Sequence, residues 1–579
     1  MCGIFGEITS KQDAPSTVFS GLKDIEYRGY DSWGIAFPQN GSLKVIKKVG
    51  FLPKTFPLPN SSVSIGHTRW ATHGGVTEIN AHPHTDCKGK IALVHNGIVE
   101  NFLELKVKLK NHHFKSETDS EVIAHLIEEE KNKGKSLTDS ASYVFRKLAG
   151  MNAIVVTDGK EIVACKMGSP LVVGKLKDGF ALASDPNALL PLTNHLIFME
   201  DEQIVNLNSQ IKMFDKKGLR QINPKFKDVP WVHVQSELKK YPHFMLKEIY
   251  EQPEVLNSIV KNSHEIEKVS QLIKKAYGTF LIACGSASYS CLAGVYLFSK
   301  FAKKHVNFSI GSEFNYIQDY ITPESLLIAV SQSGESMDTL EPVVQAKAKK
   351  AKIVGLVNVL GSTLYRIADY PLLLQAGLEK AVASTKALTA MFAMMILLAF
   401  TVVGKRKEAE EIIKQSALEI SSILKRKNQI KKLADRLKSI QHIYILGRGL
   451  SYPVALETAL KIKELSYIHS EGFAGGELKH GVIAMIEKGT PVIVYVPNDE
   501  TKSAMLSNAM EVKARGAFVI GIGPESNPVF DFFFKVADVG ASSMIPHIVF
   551  AQLLAYFLTT KLGHNPDKPR NLAKSVVVR

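Results

Sequence analysis

Short apolar runs separated by turn residues fill the first two hundred positions, at residues 3–8, 63–67, 91–95, 153–157, 180–184 and 204–207. Runs of this length, rich in Val, Ile and Phe, predict strands. One stretch with helical spacing, 120–133, interrupts them. Stacked sheets with flanking helices are the expected arrangement. A polar piece at about 208–240, carrying Pro224 and Pro230, reads as a linker. Beyond it the pattern changes to short apolar strands alternating with longer helices, which predicts a parallel α/β sheet.

That second half repeats itself in order. An apolar run at 280–283 leads into Cys284-Gly285-Ser286-Ala287-Ser288-Tyr289, and one at 443–446 leads into Gly447-Arg448-Gly449-Leu450-Ser451-Tyr452. A run at 326–330 ends in Ser331-Gln332-Ser333-Gly334-Glu335-Ser336, and its counterpart at 492–496 ends in Pro497-Asn498-Asp499-Glu500-Thr501. Long apolar helices, near 387 and near 547, close each half. Two copies of one doubly wound domain are the simplest account.

Composition narrows the picture. At 579 residues the chain is too long for one domain, and 45% hydrophobic with 22% charged residues excludes wholesale disorder. The five cysteines (2, 87, 165, 284 and 291) form no CxxC pair, which argues against a disulfide scaffold or a cysteine-rich zinc module and for a reducing compartment. The net charge of +15 is mostly scattered Lys. Its densest cluster, 425–427 with 431–432, interleaves with Ile430, Leu433 and Leu437 at helical spacing and reads as the wet face of an amphipathic helix. No nucleic-acid partner is expected. Residues 387–404 are uncharged and brush the transmembrane threshold of about 18–20 residues, yet read more simply as a buried helix. With no basic, apolar leader after Met1, a cytoplasmic protein without a membrane partner is expected.

Cys2 is the most informative residue. Removal of Met1 would leave a thiol beside a free α-amine, whose reference pKa of about 7.7–8 suits it to act as base for its own side chain. The motifs Cys2-Gly3-Ile4-Phe5-Gly6, Glu26-Tyr27-Arg28-Gly29-Tyr30-Asp31-Ser32, Gly66-His67-Thr68-Arg69-Trp70-Ala71-Thr72-His73-Gly74, His95-Asn96-Gly97-Ile98 and Ser116-Glu117-Thr118-Asp119-Ser120-Glu121 follow in order. Together they resemble the glutaminase domain of class II glutamine amidotransferases. The resemblance implies Cys2 as nucleophile, Asn96 and Gly97 as oxyanion donors, Arg69 and Asp119 as partners of the substrate's carboxylate and ammonium, Thr72 and His73 as pocket lining, and Trp70 as an ammonia gate. His67 and His95 read as structural. The His82-Pro83-His84 pair lacks a Cys or acidic ligand at metal spacing, and no metal or cofactor is expected.

In the second half, the Ser331–Ser336 turn, Glu379-Lys380-Ala381-Val382-Ala383-Ser384-Thr385-Lys386 and the duplication resemble the sugar isomerase (SIS) family, which binds phosphosugars. The whole chain then resembles amidotransferases that join this glutaminase to two SIS domains. The implied fold is multidomain α/β, an αββα N-terminal-nucleophile sandwich followed by two doubly wound parallel-sheet SIS domains. The expected boundaries are 2–214, a linker 215–245, 246–408 and 409–579. The implied reaction moves ammonia from glutamine to fructose 6-phosphate and isomerises the product to glucosamine 6-phosphate. His480 would open the sugar ring, Lys574 would form a Schiff base, and Glu464, with Lys461 nearby, would move a proton between C1 and C2. Ser331, Gln332, Ser333 and Ser336 would hold the phosphate, with Ser286, Val382 and Ala573 completing the sugar site. A homodimer is expected. The family's usual Cys-Gly-Thr-Ser is Cys284-Gly285-Ser286-Ala287 here, so one hydroxyl is missing, for which Ser288 could compensate. Val482 replaces a usual Pro. Ala287 motivates an alternative, another ketose phosphate as acceptor; a non-catalytic phosphosugar sensor is a second alternative.

Overall fold

The computed structural model describes residues 2–215, 220–230, 237–263 and 265–575. The chain divides into two compact units, Met1–Gln235 with Ala573–Arg579, and Ser236–Leu572.

The first unit stacks two sheets. One runs Lys227–Asp228, His195–Phe198, Val172–Leu176, Gly179–Ala183, Gly3–Thr9, Val63–Arg69, Ser32–Gln39, Ser42–Val49. The other runs Gln221–Ile222, Ile211–Phe214, Gln203–Leu207, Ile162–Lys166, Asn152–Thr157, Ala92–Gly97, His84–Thr85. The pairings within both are antiparallel. Because side chains alternate faces along a strand, Ile4, Ala36, Ile65, Val94 and Val155 fill the space between the sheets. Phe5, Trp33, Ile35 and Phe37 face the helix Ala14–Asp24 on one outer side. Leu93, Ile154 and Val156 face the helices Glu121–Asn132 and Leu137–Phe145 on the other. The result is four layers, helix–sheet–sheet–helix. Part of the stretch read as linker is built into these sheets: Ile211–Phe214 and Gln221–Ile222 form a hairpin at one edge, and Lys227–Asp228 pairs with His195–Leu196. Strands of only two to four residues are too short to show a hydrophobic period, which is why the sequence hid them.

The second unit contains two five-stranded parallel sheets. Their orders are Asn307–Ile310, Gly278–Ala283, Ser325–Ser331, Lys352–Val357, Tyr370–Leu373 and His469–Ala474, His442–Gly447, Pro491–Tyr495, Phe518–Gly523, Phe532–Lys535. Both follow the order second, first, third, fourth, fifth, so the sequence repeat is a repeat of topology. The inner strands are buried on both faces, as expected of a parallel sheet: Leu281, Ile328, Ile445 and Ile493 enter a core shared by the two sheets, while Ile282, Leu327, Leu446 and Val494 face the opposite helices. The helices Lys386–Val402 and Met544–Lys561 run through the shared core. Gly540–Lys561 is long and apolar enough to cross a membrane, but its apolar window is wholly buried inside the protein. Burial from all sides explains its uniform apolarity. The basic cluster spans the junction of the helices Arg406–Lys425 and Lys427–Leu437, and on the second Ile430, Leu433 and Leu437 are buried and Lys431 and Lys432 exposed.

Candidate active sites

In the first unit, antiparallel pairing sets Gly3 opposite Thr68, so Cys2 falls beside the end of Val63–Arg69. The thiol sulfur accepts from the Trp70 N–H at 3.3 Å and donates to the Trp70 carbonyl at 3.5 Å. The other sheet supplies Asn96, whose Nδ2 donates to the Cys2 carbonyl at 3.0 Å. Burial pushes the Cys2 thiol above its usual value, opposed by the Trp70 N–H and the Arg69 charge. A base is therefore needed to ionise it.

Asn96 is held in one orientation by His67. The His67 Nε2 donates to the Asn96 Oδ1 (3.1 Å) and to the His95 carbonyl (3.0 Å), which turns the amide nitrogen toward Cys2. Burial lowers His67 to about 3, so the ring is neutral and this assignment holds at neutral pH. His95 is fixed in turn by the Ser120 hydroxyl (2.8 Å) and Asn152 Oδ1 (2.9 Å). His67 thus acts through Asn96, a role that its place in the Gly66–Gly74 motif did not reveal. Gly97, next in the strand, has a φ of 145°, and a Cβ there would lie 2.1 Å from the Met151 carbonyl oxygen. Only glycine fits.

Arg69 is buried, and its guanidinium donates to the carbonyls of His73, Gly74 (3.2 Å) and Gly75 (3.1 Å), so the loop wraps around it. That loop is tied down by Glu117, which accepts from the Gly75 N–H (3.2 Å) and Asn80 Nδ2 (2.8 Å). Burial lowers the pKa of Arg69, while Cys2, Asp31 and Asp119 pull it back. Asp119, also buried, accepts from the Val99 N–H at 2.7 Å and the Ser120 hydroxyl at 3.3 Å. A cation and an anion thus stand in one site, as a zwitterionic amino acid requires. Trp70 and His73 are half-buried, the latter edge-on to Phe102 at 5.5 Å, and Thr72 is exposed. The Glu26–Ser32 motif supports this site from behind. Tyr27 and Arg28 bond Asp185, Asp31 accepts from the Ala71 N–H at 2.8 Å, and a Cβ on Gly29 would lie 2.7 Å from the Trp70 nitrogen.

In the second unit the two α/β halves meet at Lys461. It lies on the helix Ser451–Ser466 with no solvent exposure. Its ammonium donates to Ser286 Oγ (2.9 Å), at the start of Ser286–Leu297, and pairs with Glu457 (3.1 Å) and Glu464. Three acceptors match three N–H donors. Burial works against the charge, but the two carboxylates hold Lys461 above its usual pKa. So held, Lys461 offers no lone pair to a carbonyl. Glu457, fully buried, is raised to about 7 by burial, with Lys461 opposing and Glu464 adding to the rise. Glu464 is the partly exposed member, its side chain 16% accessible.

The turn Ser331–Ser336 joins the strand Ser325–Ser331 to the helix Met337–Ala348. Ser331 Oγ accepts from the Gly334 N–H (3.0 Å), lies 3.4 Å from Ser336 Oγ, and Ser333 Oγ accepts from the Glu335 N–H (3.1 Å). Gly334 has a φ of 67° and abuts Ser362. Hydroxyls and N–H groups at a helix N-terminus make an anion cradle; Gln332 is half-buried beside it. Val382 donates its N–H to the Asp567 carbonyl at 3.0 Å. Glu379 is structural, accepting from the N–H groups of Thr385 (2.9 Å) and Ala387 (3.0 Å) to cap the helix Lys386–Val402. Ser288 does not replace the missing hydroxyl freely, because its Oγ donates to the Gly285 carbonyl at 2.7 Å.

Three further predicted residues lie on other segments. His480 is exposed, beyond the short turn Glu477–Lys479, and its ring makes no hydrogen bond among the described residues. Ala573 and Lys574, both half-buried, group with the first unit rather than with Lys461 and Glu464. Arg570 stacks over the Tyr467 ring at 4.0 Å.

Comparison with known proteins matches residues 57–238 to the glutamine amidotransferase domain and residues 272–401 and 436–528 to the SIS domain. The chain is 41% identical to the glutamine–fructose-6-phosphate aminotransferase [isomerizing] of Pyrococcus horikoshii and 40% identical to that of Thermus thermophilus, each across 100% of both proteins. Among solved structures it is similar to the C-terminal domain of glucosamine-fructose-6-phosphate aminotransferase from Francisella tularensis, with 32% identity and a TM-score of 0.54 over 57% of this chain and 100% of that one. It shares its fold with the tagatose-6-phosphate ketose/aldose isomerase of Escherichia coli, at 18% identity and a TM-score of 0.51 over 59% of this chain and 98% of that one.

Proposed function

Starting from the premise that the chain belongs to the isomerizing glutamine–fructose-6-phosphate aminotransferases, we propose how its residues divide the work. The enzyme transfers ammonia from glutamine to fructose 6-phosphate and isomerises the product to glucosamine 6-phosphate, releasing glutamate. Once Met1 is removed, the Cys2 amine takes the thiol proton and the sulfur attacks the glutamine amide carbon. Asn96 Nδ2 and the Gly97 N–H stabilise the oxyanion, ammonia leaves, and water cleaves the thioester to glutamate. Arg69 and Asp119 bind the substrate's carboxylate and ammonium, Thr72 and His73 line its pocket, and Trp70 gates ammonia release.

In the sugar site Ser331, Gln332, Ser333 and Ser336 hold the phosphate, with Ser286, Val382 and Ala573 completing it. His480 opens the furanose ring and Lys574 forms the Schiff base that ammonia displaces. Glu464 then takes a proton from C1 and returns one at C2. The observation that carries this division is the Lys461 ammonium, saturated by Ser286, Glu457 and Glu464. It leaves Lys461 as an electrostatic partner of Glu464 and the Schiff base to another lysine. The domains are read as 2–214, 246–408 and 409–579, in a cytoplasmic homodimer without nucleic-acid or membrane partners; sedimentation of the full chain tests the dimer.

The deciding experiment incubates the protein with glutamine and fructose 6-phosphate and follows glucosamine 6-phosphate and glutamate. Borohydride reduction with fructose 6-phosphate, then peptide mapping, should place sugar on Lys574. Sugar on Lys461 or Lys479 would overturn that assignment.

A further inference from the structure

Outside both sites, four side chains from three separate segments of the first unit converge. Cys87 lies in the turn after the strand His84–Thr85, and His112 follows the helix Phe102–Lys108. His125 and Glu128 sit one turn apart on the helix Glu121–Asn132. The Cys87 sulfur is 3.5 Å from His112 Nδ1 and 3.6 Å from His125 Nδ1. The two Nδ1 atoms are 3.2 Å apart, and Glu128 Oε2 is 3.1 Å from the first and 3.4 Å from the second. All four donor atoms lie within 4.8 Å of one another.

These separations have a simple reading. A tetrahedral ion bound to sulfur at about 2.3 Å and to nitrogen or oxygen at about 2.0–2.1 Å sets its ligand atoms roughly 3.3–3.6 Å apart. Glu128 Oε2 also accepts from the Cys87 N–H at 3.1 Å, which anchors the carboxylate beside the cysteine. The outer nitrogens reinforce the case. His125 Nε2 lies 3.6 Å from Glu121 Oε1, and His112 Nε2 lies 3.6 Å from Glu129 Oε1. A carboxylate behind each ring favours the proton on Nε2 and turns the Nδ1 lone pair inward, the outer-shell pattern of histidine metal ligands. Charge balances too, because a thiolate and a carboxylate neutralise a divalent cation and the thiol proton leaves to solvent. His112, His125 and Glu128 are almost wholly enclosed, whereas Cys87 is exposed and gives an entry path.

We propose that Cys87, His112, His125 and Glu128 form a tetrahedral site for a divalent transition-metal ion, Zn²⁺ by ligand preference, that braces the segment leading to Asp119. Four protein ligands leave no open position, so the role is structural. The ion would join His112 to the helix Glu121–Asn132, and Glu121 at that helix's start already accepts from the N–H groups of Lys115 (2.8 Å) and Ser116 (2.7 Å). Asp119 lies between the two ties. The His82-Pro83-His84 pair, set aside as a metal site in the sequence, has its two rings edge to face in the interior at 4.5 Å.

The test uses the full chain carrying Cys2→Ser, which removes the competing nucleophilic thiol. After chelator treatment it is titrated with Co²⁺ and then Zn²⁺. One equivalent of Co²⁺ should give the visible bands of a tetrahedral site with thiolate charge transfer, and Zn²⁺ should displace it. Adding Cys87→Ser should abolish the charge-transfer band, and adding His112→Gln should weaken binding at least about tenfold. Zn²⁺ should raise the thermal midpoint of the Cys2→Ser protein but not that of the Cys2→Ser/Cys87→Ser protein. Absence of stoichiometric Co²⁺ bands, or binding unchanged in both added variants, would overturn the proposal. If those variants fail to fold, elemental analysis of the Cys2→Ser protein after Zn²⁺ exposure and dialysis decides it: about one zinc per chain supports the site, and none rejects it.

Discussion

The two active sites keep polar groups in a dry interior by opposite means. In the first unit the groups around Cys2 are neutral or bonded to backbone: His67 and His95 are uncharged rings, Asn96 is an amide, and Arg69 is satisfied by three carbonyls. In the second unit the buried groups around Lys461 are charged and satisfied mainly by other side chains. The difference follows from the elements. Strand ends and loops expose backbone donors and acceptors at the sheet edge, whereas helices packed side to side use up their own backbone and must pair side chains. A site built on backbone tolerates loss of one side chain; a buried charge cluster does not.

The largest effect should come from Cys2→Ala. Glutamine-dependent glucosamine 6-phosphate formation is expected to fall about 10⁴-fold or more, while fructose 6-phosphate binding measured by calorimetry stays unchanged. Glutaminase activity surviving in that variant would contradict the nucleophile assignment.

Lys461→Met should be next. Removing the cation strands Glu457 in the core, at a cost of about 3–5 kcal/mol, seen as a lower urea midpoint by far-UV circular dichroism. Adding Glu457→Gln should recover part of that loss. A single variant as stable as the parent would break the contrast between the two sites.

The sites also differ in how acid affects them. His67 sits at about 3 rather than 6.5, and His82 and His84 lie well below that value, each chiefly through burial. Between those values the unfolded chain binds protons that the folded unit refuses, so stability falls as pH drops from 6.5. Glu457 has the opposite sign. Raised from 4.5 to about 7, it contributes stability below 4.5 that is lost as pH rises through 7. The three tryptophans, Trp33, Trp70 and Trp231, all precede residue 236. Urea unfolding followed by tryptophan fluorescence should therefore lose midpoint between pH 6.5 and 4; a flat profile would remove the buried imidazoles as the cause.

Ser288→Ala should have the smallest effect. Its hydroxyl serves the Gly285 carbonyl, so stability should drop by about 0.5–1.5 kcal/mol with little change in fructose 6-phosphate affinity. A tenfold affinity loss would show instead that Ser288 compensates for Ala287.

Much of this was legible in the chain itself. Hydrophobic period alone located the strands Gly3–Thr9, Val63–Arg69, Ala92–Gly97 and Asn152–Thr157 to within two residues, and the repeat of the second half foretold two sheets of one topology. Such elements are determined locally, because a strand's period states which faces are buried. Through their resemblance to class II glutamine amidotransferases the motifs grouped Cys2, Arg69, Asn96 and Asp119, and in the fold Asn96 bonds the Cys2 carbonyl while Cys2 and Asp119 both act on the Arg69 charge. Contacts between distant segments were beyond reach. His67 orienting Asn96, Arg28 reaching Asp185, Glu457 sharing Lys461 and Cys87 meeting His112 and His125 each depend on which strand ends and helix faces the tertiary fold brings together. No local pattern encodes a partner 29, 157 or 25 residues away. Glu457 and Lys461, four residues apart on one helix, become a fully buried pair only because the two halves pack over them both.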